Sequence, residues 1–345
     1  MLTFDLVIAT RNRLDALQLS IPLMLAEARQ PERLIVVDSS DEHEPVKELI
    51  GRLVKGWAGE VVVIYESTPS SSKQRNIGML HVTSEVVIFP DDDSLILPGT
   101  FGSMLSIYDR DEDECVSAVC AAESLSPPKG LLKEEGAYDL TLADKVKKGI
   151  AKYRYAIEKI FIPNPLIVHG ENVNANKQNI PQWLEAENAV VVEYMTGFRM
   201  SFRSRVIKKH LFTEVFSGYC LAEDVEASFA AMNDGLIVGA RNAQIYHHRY
   251  PSVRSRGYMM GYVQMVNNTY ILSKYMIEGE KRTKRALYVS SAYKIFLYLF
   301  AIGNQYGRER LKGSISGFLL LPKLLKAKSG VELDELYAKE WKQRF

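Results

Sequence analysis

The chain has 345 residues, 47% hydrophobic and 25% charged, the usage of a packed protein with length for roughly two domains rather than a disordered or fibrous one. Forty-three basic residues against 42 acidic ones leave a net charge of +1, which argues against a protein that coats nucleic acid. Three cysteines (Cys115, Cys120, Cys220) with no CxxC pair exclude a disulfide scaffold and a thiolate zinc site, and fit a reducing compartment.

The N-terminal MLTFDLVIATRNR lacks a basic segment followed by an apolar one, so a cytoplasmic protein without a secretory leader is expected. Nearly continuous apolar runs follow at Asp5–Thr10, Arg33–Asp38, Glu60–Glu66, Glu85–Pro90 and Cys115–Ala121, as strands covered on both faces require. Between them lie segments with helical spacing, such as Leu14, Leu17, Ile21 and Leu25, then Val46, Leu49, Ile50 and Leu53. This alternation predicts an α/β fold with a doubly wound, mostly parallel central sheet. Ligands of such sheets sit beyond the carboxyl ends of the strands, so chemistry is expected just after each run.

Residues 124–193 read as a loop-rich insertion with a charged stretch at Lys145–Lys148, the kind of long irregular segment that serves as a lid or binding loop. Strand character resumes at Ala189–Met195, a helix is expected from Glu223 through Met232, and Leu236–Ala240 and Gln244–Tyr246 read as two late strands. Residues 1–250 are thus expected to form one domain and 251–345 a helical C-terminal region. Between Lys274 and Lys328 that region carries 12 Lys/Arg against three acids, interleaved with IFLYLFAI and ISGFLLL. Basic helices with apolar faces suit the surface of an anionic membrane, and equally an ordinary helical cap. The longest apolar run, about Ala286–Gly303, carries Lys294 and reads as a buried or interfacial helix rather than a span.

Several clusters stand where strands end. Asp91, Asp92 and Asp93 follow the fourth strand; adjacent carboxylates repel, and a divalent ion shared with substrate phosphates is one remedy, a solvated helix-capping turn the other. Glu223 and Asp224 open a helix, either as partners of its dipole or as a general base, with Phe216, Gly218 and Tyr219 nearby to suit a sugar ring. Lys73, Arg75 and Asn76 open a helix after the third strand, a ready phosphate site or a serine-rich surface turn. Thr10 and Arg11 follow the first strand, and Asp38, ending the second, can receive a base imide or ribose hydroxyl, or cap its own turn. His247 and His248 end the last strand; adjacent residues point to opposite faces, so at most one is a metal ligand.

Taken in order, IATRNR, LIVVDSS, SKQRNIG, VIFPDDDSLILP, TGFRMSFRSRVI and LAEDVE resemble the family 2 glycosyltransferases of the GT-A fold, over about residues 3–250. The resemblance implies that Asp91 lies near the donor ribose, that Asp93 binds Mn2+ or Mg2+ with His247 or His248, and that Asp224 is the catalytic base. It further implies nucleotide-sugar binding by Thr10, Arg11, Asp38, Lys73, Arg75, Asn76 and Asp92, and an acceptor side at Thr196, Gly197 and Glu223. The expected reaction is an inverting transfer from a UDP- or dTDP-sugar to a hydroxyl of a saccharide or lipid-linked saccharide, with no nucleic-acid partner and peripheral attachment to the inner face of a membrane. The turn after the second strand, DSSDEHE, lacks the usual glycine, and the 124–193 insertion matches no common acceptor motif. Nucleotidyl and hydride transfer are disfavoured because no glycine-rich phosphate loop follows the first strand, ATRNRLD; a non-catalytic carbohydrate-binding component is the remaining rival.

Overall fold

Four apolar strands, three of them buried and the edge strand only half-buried, build one arm of the central sheet in a computed structural model that describes residues 1–131, 161–177, 180–216, 220–249, 256–277 and 279–345. They are β1 (Phe4–Thr10), β2 (Arg33–Asp38), β3 (Glu60–Tyr65) and β4 (Val86–Pro90), all mutually parallel in the order β3-β2-β1-β4. Helices α1 (Leu14–Leu25), α2 (Glu44–Leu53) and α3 (Ser71–Met79) make the crossovers. Leu6, Ile8, Leu34, Val36 and Ile88 are fully buried on one sheet face with Leu17, Ile21 and Ile50 of the helices, so the continuous apolar runs answer to a sheet covered on both sides. The chain leaves β1 toward β2 and β3, then returns to its other side at β4. That reversal opens a crevice at the carboxyl ends of β1 and β4, where Thr10 and Asp91 stand.

The other arm is mixed. β8 (Arg199–Arg203) runs antiparallel to β4 and to β6 (Val116–Glu123); β9 (Leu236–His247) is parallel to β6 and antiparallel to β5 (Ser94–Ile96) and β7 (Ala189–Val191). Parallel pairing therefore describes the Phe4–Pro90 arm, and antiparallel strands close the sheet over the site. The two late strands of the sequence reading are one: between Ala121↔Ala240 and Ala122↔Gln244, β9 bulges through Arg241–Ala243 and then rejoins the ladder. The Ala189–Met195 run follows β9 as far as Val192, whose amide donates to the Ile237 carbonyl; beyond it the Met195 amide donates to Ser228 Oγ instead of to a strand. The remaining helices before residue 250 are α4 (Thr100–Arg110), α5 (Pro165–Ala175), α6 (Trp183–Ala186), α7 (Ser204–Lys209) and α8 (Glu223–Met232).

The chain divides into two compact units, one of Met1–Pro128 with Val173–Val253, the other of Lys129–Asn172 with Arg254–Phe345. The stretch Lys145–Lys148 lies outside the described residues. In the second unit, α9 (Gly257–Tyr275), α10 (Lys281–Leu299), α11 (Gln305–Leu324) and α12 (Gly330–Lys342) pack on one another. α9 and α11 meet backbone to backbone: a Cβ on Gly261 would stand 2.1 Å from the Arg310 carbonyl, and one on Gly313 2.0 Å from that of Tyr258. Among the described residues no helix is long and apolar enough to cross a membrane.

Candidate active site

The end of β4 delivers three carboxylates to three different settings. Asp92 turns inward, accepts from Thr10 Oγ1 at 2.8 Å and from Arg13 Nη1 at 2.8 Å, and its carbonyl takes the Ser20 hydroxyl. It stitches β4 to β1 and α1. Burial pushes its carboxyl up to about 7, against the opposing pull of Arg13. Asp91 and Asp93 belong instead with His247: one ligand-type atom from each lies within 4.8 Å of the others.

Register explains the histidine. Ser94 of β5 pairs with His247 of β9, so the residue opposite the end of the Asp91–Asp93 run is the imidazole itself, with Nε2 3.4 Å from Asp93 Oδ1. Burial alone would lower its pKa, but the Asp93 carboxylate outweighs that and raises it. The ring is held by stacking on Phe198, centroids 4.6 Å apart and 14° from parallel. The His248 backbone amide donates to the Asp93 carbonyl. The turn weighed for Asp91–Asp93 is formed, the Ser94 amide donating to the Asp91 carbonyl, but Asp92 and Asp93 are buried rather than solvated, and Gly99 rather than Asp93 or Ser94 caps α4.

Arg75, buried on α3, binds both acidic centres with one planar fork. Nη2 donates to Asp91 Oδ1 at 2.9 Å and Nη1 to Glu223 Oε1 at 2.8 Å, while the guanidinium lies 5.4 Å over the Phe212 ring. Asp224 comes next to the same point. The Gly197 amide donates to its Oδ2 at 2.7 Å, and a Cβ on Gly197 would lie 3.5 Å from Arg75 Nη2 and 3.7 Å from Asp224 Oδ2. Gly197 stands there because Arg199 pairs with Pro90 in the β4–β8 ladder, which carries Thr196–Gly197 alongside Asp91. Asp224 keeps an accessible edge, yet the surrounding protein and then the charge of Glu223 push its carboxyl up to about 7. Ala222, capping α8 just ahead of the pair, has φ +74°, a left-handed conformation that L side chains rarely adopt and that marks stored strain at functional sites.

The other residues singled out in the sequence hold the frame. Asp38 is fully buried, accepting from the Ser40 amide and hydroxyl and lying 2.8 Å from His43 Nδ1, so it organises its own turn. Asn76 clamps the Phe212 amide and carbonyl and donates to Glu214. Lys73 pairs with Glu66 at 2.9 Å and Arg11 with Asp41 at 3.3 Å, at the rim. Thr196 Oγ1 accepts from Arg199 Nε. Gly218 and Tyr219 lie outside the described residues, whereas Phe216 is buried. Sequence reasoning passed over Arg13, which lies inside IATRNR and neutralises Asp92 and Asp93 (3.3 Å to the latter), and Gln74, which donates to the Thr10 and Val37 carbonyls. It also missed Phe198. Arg13 carried a signal, since a cation just after β1 faces whatever β4 ends in.

Residues 5–164 match the model of Glycosyl transferase family 2. No curated protein matches the sequence. Among solved structures, the chain is similar to TarS 1-349 of S. aureus, at 13% identity over 99% of this chain and 91% of that one, with a TM-score of 0.54. It is also similar to GalNAc-T7, solved with UDP, GalNAc and Mn2+, at 14% identity over 100% of this chain and 58% of that one, with a TM-score of 0.53. At such identities the likeness is one of fold, and it is the fold of the GT-A glycosyltransferases. With its strand-end carboxylates in that fold, the chain carries the pattern of Glycosyl transferase family 2 over residues 5–164.

Proposed function

We propose that the chain moves a sugar from a nucleoside diphosphate donor, UDP- or dTDP-linked, to a hydroxyl of a saccharide or lipid-linked saccharide, with inversion at the anomeric carbon. The observation that carries this reading is the single Arg75 guanidinium gripping Asp91 on one side and Glu223, neighbour of Asp224, on the other. It sets a cluster suited to a cation and a carboxylate suited to take a proton at two edges of one cleft.

Asp91, Asp93 and His247 would hold Mn2+ or Mg2+: two carboxylates and an imidazole are a donor set for a divalent ion of this kind. When bound, such an ion supplies Lewis-acid stabilisation of the charge that grows on the departing diphosphate. A fold neighbour solved with UDP, GalNAc and Mn2+ is in keeping with this. Asp224 accepts the proton of the acceptor hydroxyl as its oxygen bonds to the anomeric carbon and the bond from that carbon to the diphosphate oxygen breaks. Its carboxyl at about 7 matches a base working near neutral pH. One base suffices for a single displacement, with no covalent sugar on the enzyme. The Gly197 amide fixes the orientation of Asp224, and Arg75 keeps Glu223 aside from it.

Arg11 and Lys73, at the rim, face the donor phosphates in this reading. Thr10, Asp38, Asp92 and Asn76 shape the floor from behind. Thr196 and Glu223 border the acceptor. The basic C-terminal helices suit peripheral attachment to the inner face of an anionic membrane, where a lipid-linked saccharide presents its hydroxyl.

The test is a screen of nucleotide sugars with Mn2+, reading release of the nucleoside diphosphate and, by thermal shift, stabilisation by each donor. A donor that stabilises the protein only with Mn2+ and is cleaved supports transfer. Stabilisation by free saccharides with no release from any donor would instead mark a carbohydrate-binding component and overturn the proposal.

A further inference from the structure

The hairpin between α10 and α11 ends in a tip that is apolar at its surface and cationic beneath. Phe296, Leu299, Phe300, Ile302 and Tyr306 are all exposed within eleven positions of the chain, Phe300 to 76%. Phe296 and Phe300 pack edge to face, with ring centroids 5.1 Å apart. The tip is tightly built rather than loose: Asn304 caps α11 through the Gly307 amide, and a Cβ on Gly307 would stand 1.7 Å from the Ala301 carbonyl. A rigid cluster of large apolar side chains is costly to leave in water unless something covers it.

Charge says what covers it. Directly behind the apolar residues stand Lys294 and Arg310, each repelling the other and neither paired with a carboxylate among the described residues. Arg310 lies 4.5 Å over the Tyr298 ring, donates to the Tyr298 hydroxyl and to the Gln264 amide oxygen, at 3.4 Å, and leaves its Nε buried without a hydrogen-bond partner. From Lys294 to Lys312 the sole acid is Glu309, which is taken by Lys312 at 2.9 Å. Two desolvated cations under an apolar rim lack an anion at the depth where lipid phosphates lie when aromatic side chains enter the interface. A second copy of the chain would bring the same unpaired cations and not their counter-charge.

We infer that the α10–α11 tip is the surface by which this chain docks on an anionic phospholipid bilayer, with Phe296, Leu299, Phe300 and Ile302 entering the interface and Lys294 and Arg310 meeting lipid phosphates. The inference rests on the reading of peripheral attachment and names the surface responsible. The burial that lowers the pKa of Lys294 also makes an incoming phosphate worth more there.

The full chain is sedimented with vesicles of phosphatidylcholine alone, and of phosphatidylcholine with phosphatidylglycerol, at low ionic strength. It pellets with the anionic vesicles and stays in solution with the neutral ones. Phe296→Ser with Phe300→Ser weakens partitioning about tenfold or more, as expected for losing buried aromatic area. Lys294→Gln weakens it about fivefold. Leu80→Ser, exposed on the first unit, leaves partitioning unchanged, and all three variants keep the wild-type melting temperature and donor cleavage. Absence of wild-type binding overturns the attachment itself. Wild-type binding that survives the double Phe variant overturns the tip assignment while the attachment stands. Lipid-free self-association that the double variant abolishes makes the tip an interface between copies and overturns docking.

Discussion

Arg75 and Glu223 form an ion pair of 2.8 Å although they are 148 residues apart in the chain, and the other arm of the same guanidinium holds Asp91. The pair joins the middle of α3 to the start of α8 across the crevice. Arg75→Met therefore strands two carboxylates in a low-dielectric setting. A loss of about 3–5 kcal/mol is expected by denaturant unfolding, because removing one partner of a buried ion pair leaves an uncompensated charge. Arg75→Lys recovers only part of it, since an ammonium cannot reach both carboxylates with a planar fork. Equal stability of the Met variant would mean that the fork is ornamental.

Asp224→Asn is expected to retain donor binding, measured by calorimetric titration, and to lose about a hundred- to ten-thousand-fold in transfer, the span that a positioned base contributes. A variant within a few-fold of wild type would remove Asp224 from the base role. The pH dependence has a definite sign. The proton must be off for the carboxylate to act, so transfer rises with pH through about 7 and levels above it.

The same raised pKa works against the fold. Between the ordinary carboxyl value of 3.8 and about 7, the unfolded chain has released a proton that folded Asp224 still holds. Its contribution to stability is full at the acid end of that window and is lost as pH rises through about 7. The Asn variant escapes this loss, so at pH 8 its melting temperature should exceed that of wild type while its turnover is gone. A lower melting temperature for the variant at pH 8 would mean that the Gly197 and Val225 amides favour the charged form more than burial disfavours it.

Much of this was legible because β1, β2 and β4 are buried on both faces, and such strands announce themselves as unbroken apolar runs. The helix Glu223–Met232 was bounded by its acidic start and its NDG stop, and the order of strand-end motifs foretold which clusters share one edge of the sheet. What stayed hidden depends on partners distant in sequence. β5 has only three residues, too short for any periodicity, yet its register against β9 brings the His247 imidazole to the Asp93 carboxylate. Asp38 and Asn76 could be read either as ligand contacts or as partners of a turn, because a polar residue at a strand or helix end looks alike whether it faces a ligand or a neighbouring turn. Only the fold shows Ser40 and Phe212 already occupying them.

That register makes the two histidines a controlled comparison. His247→Ala is expected to weaken Mn2+ binding, followed by calorimetry, about tenfold or more, and Asp93→Ala to abolish it, since both offer side-chain atoms to the cluster. His248→Ala should leave it near wild type, because His248 meets Asp93 through a backbone amide that alanine keeps. Equal losses for both histidines would show the effect to be disruption of β9 rather than loss of a ligand.

Asn76 offers the sharpest separation between frame and ligand contact. Its side chain donates to the Phe212 carbonyl at 2.9 Å and to Glu214 at 2.8 Å, and accepts from the Phe212 amide at 2.9 Å, fixing the loop whose Phe212 ring lies beneath Arg75. Asn76→Ala leaves a buried amide and carbonyl unsatisfied and is expected to cost about 1–3 kcal/mol in denaturant unfolding. Since Phe212 then loses its anchor, donor affinity should fall only to the extent that Arg75 shifts with it. Below the unfolding transition, added donor should therefore restore most of the lost melting temperature. A variant with full stability and sharply weaker donor binding would reverse the assignment, making Asn76 a contact to the nucleotide sugar and the Phe212 clamp incidental.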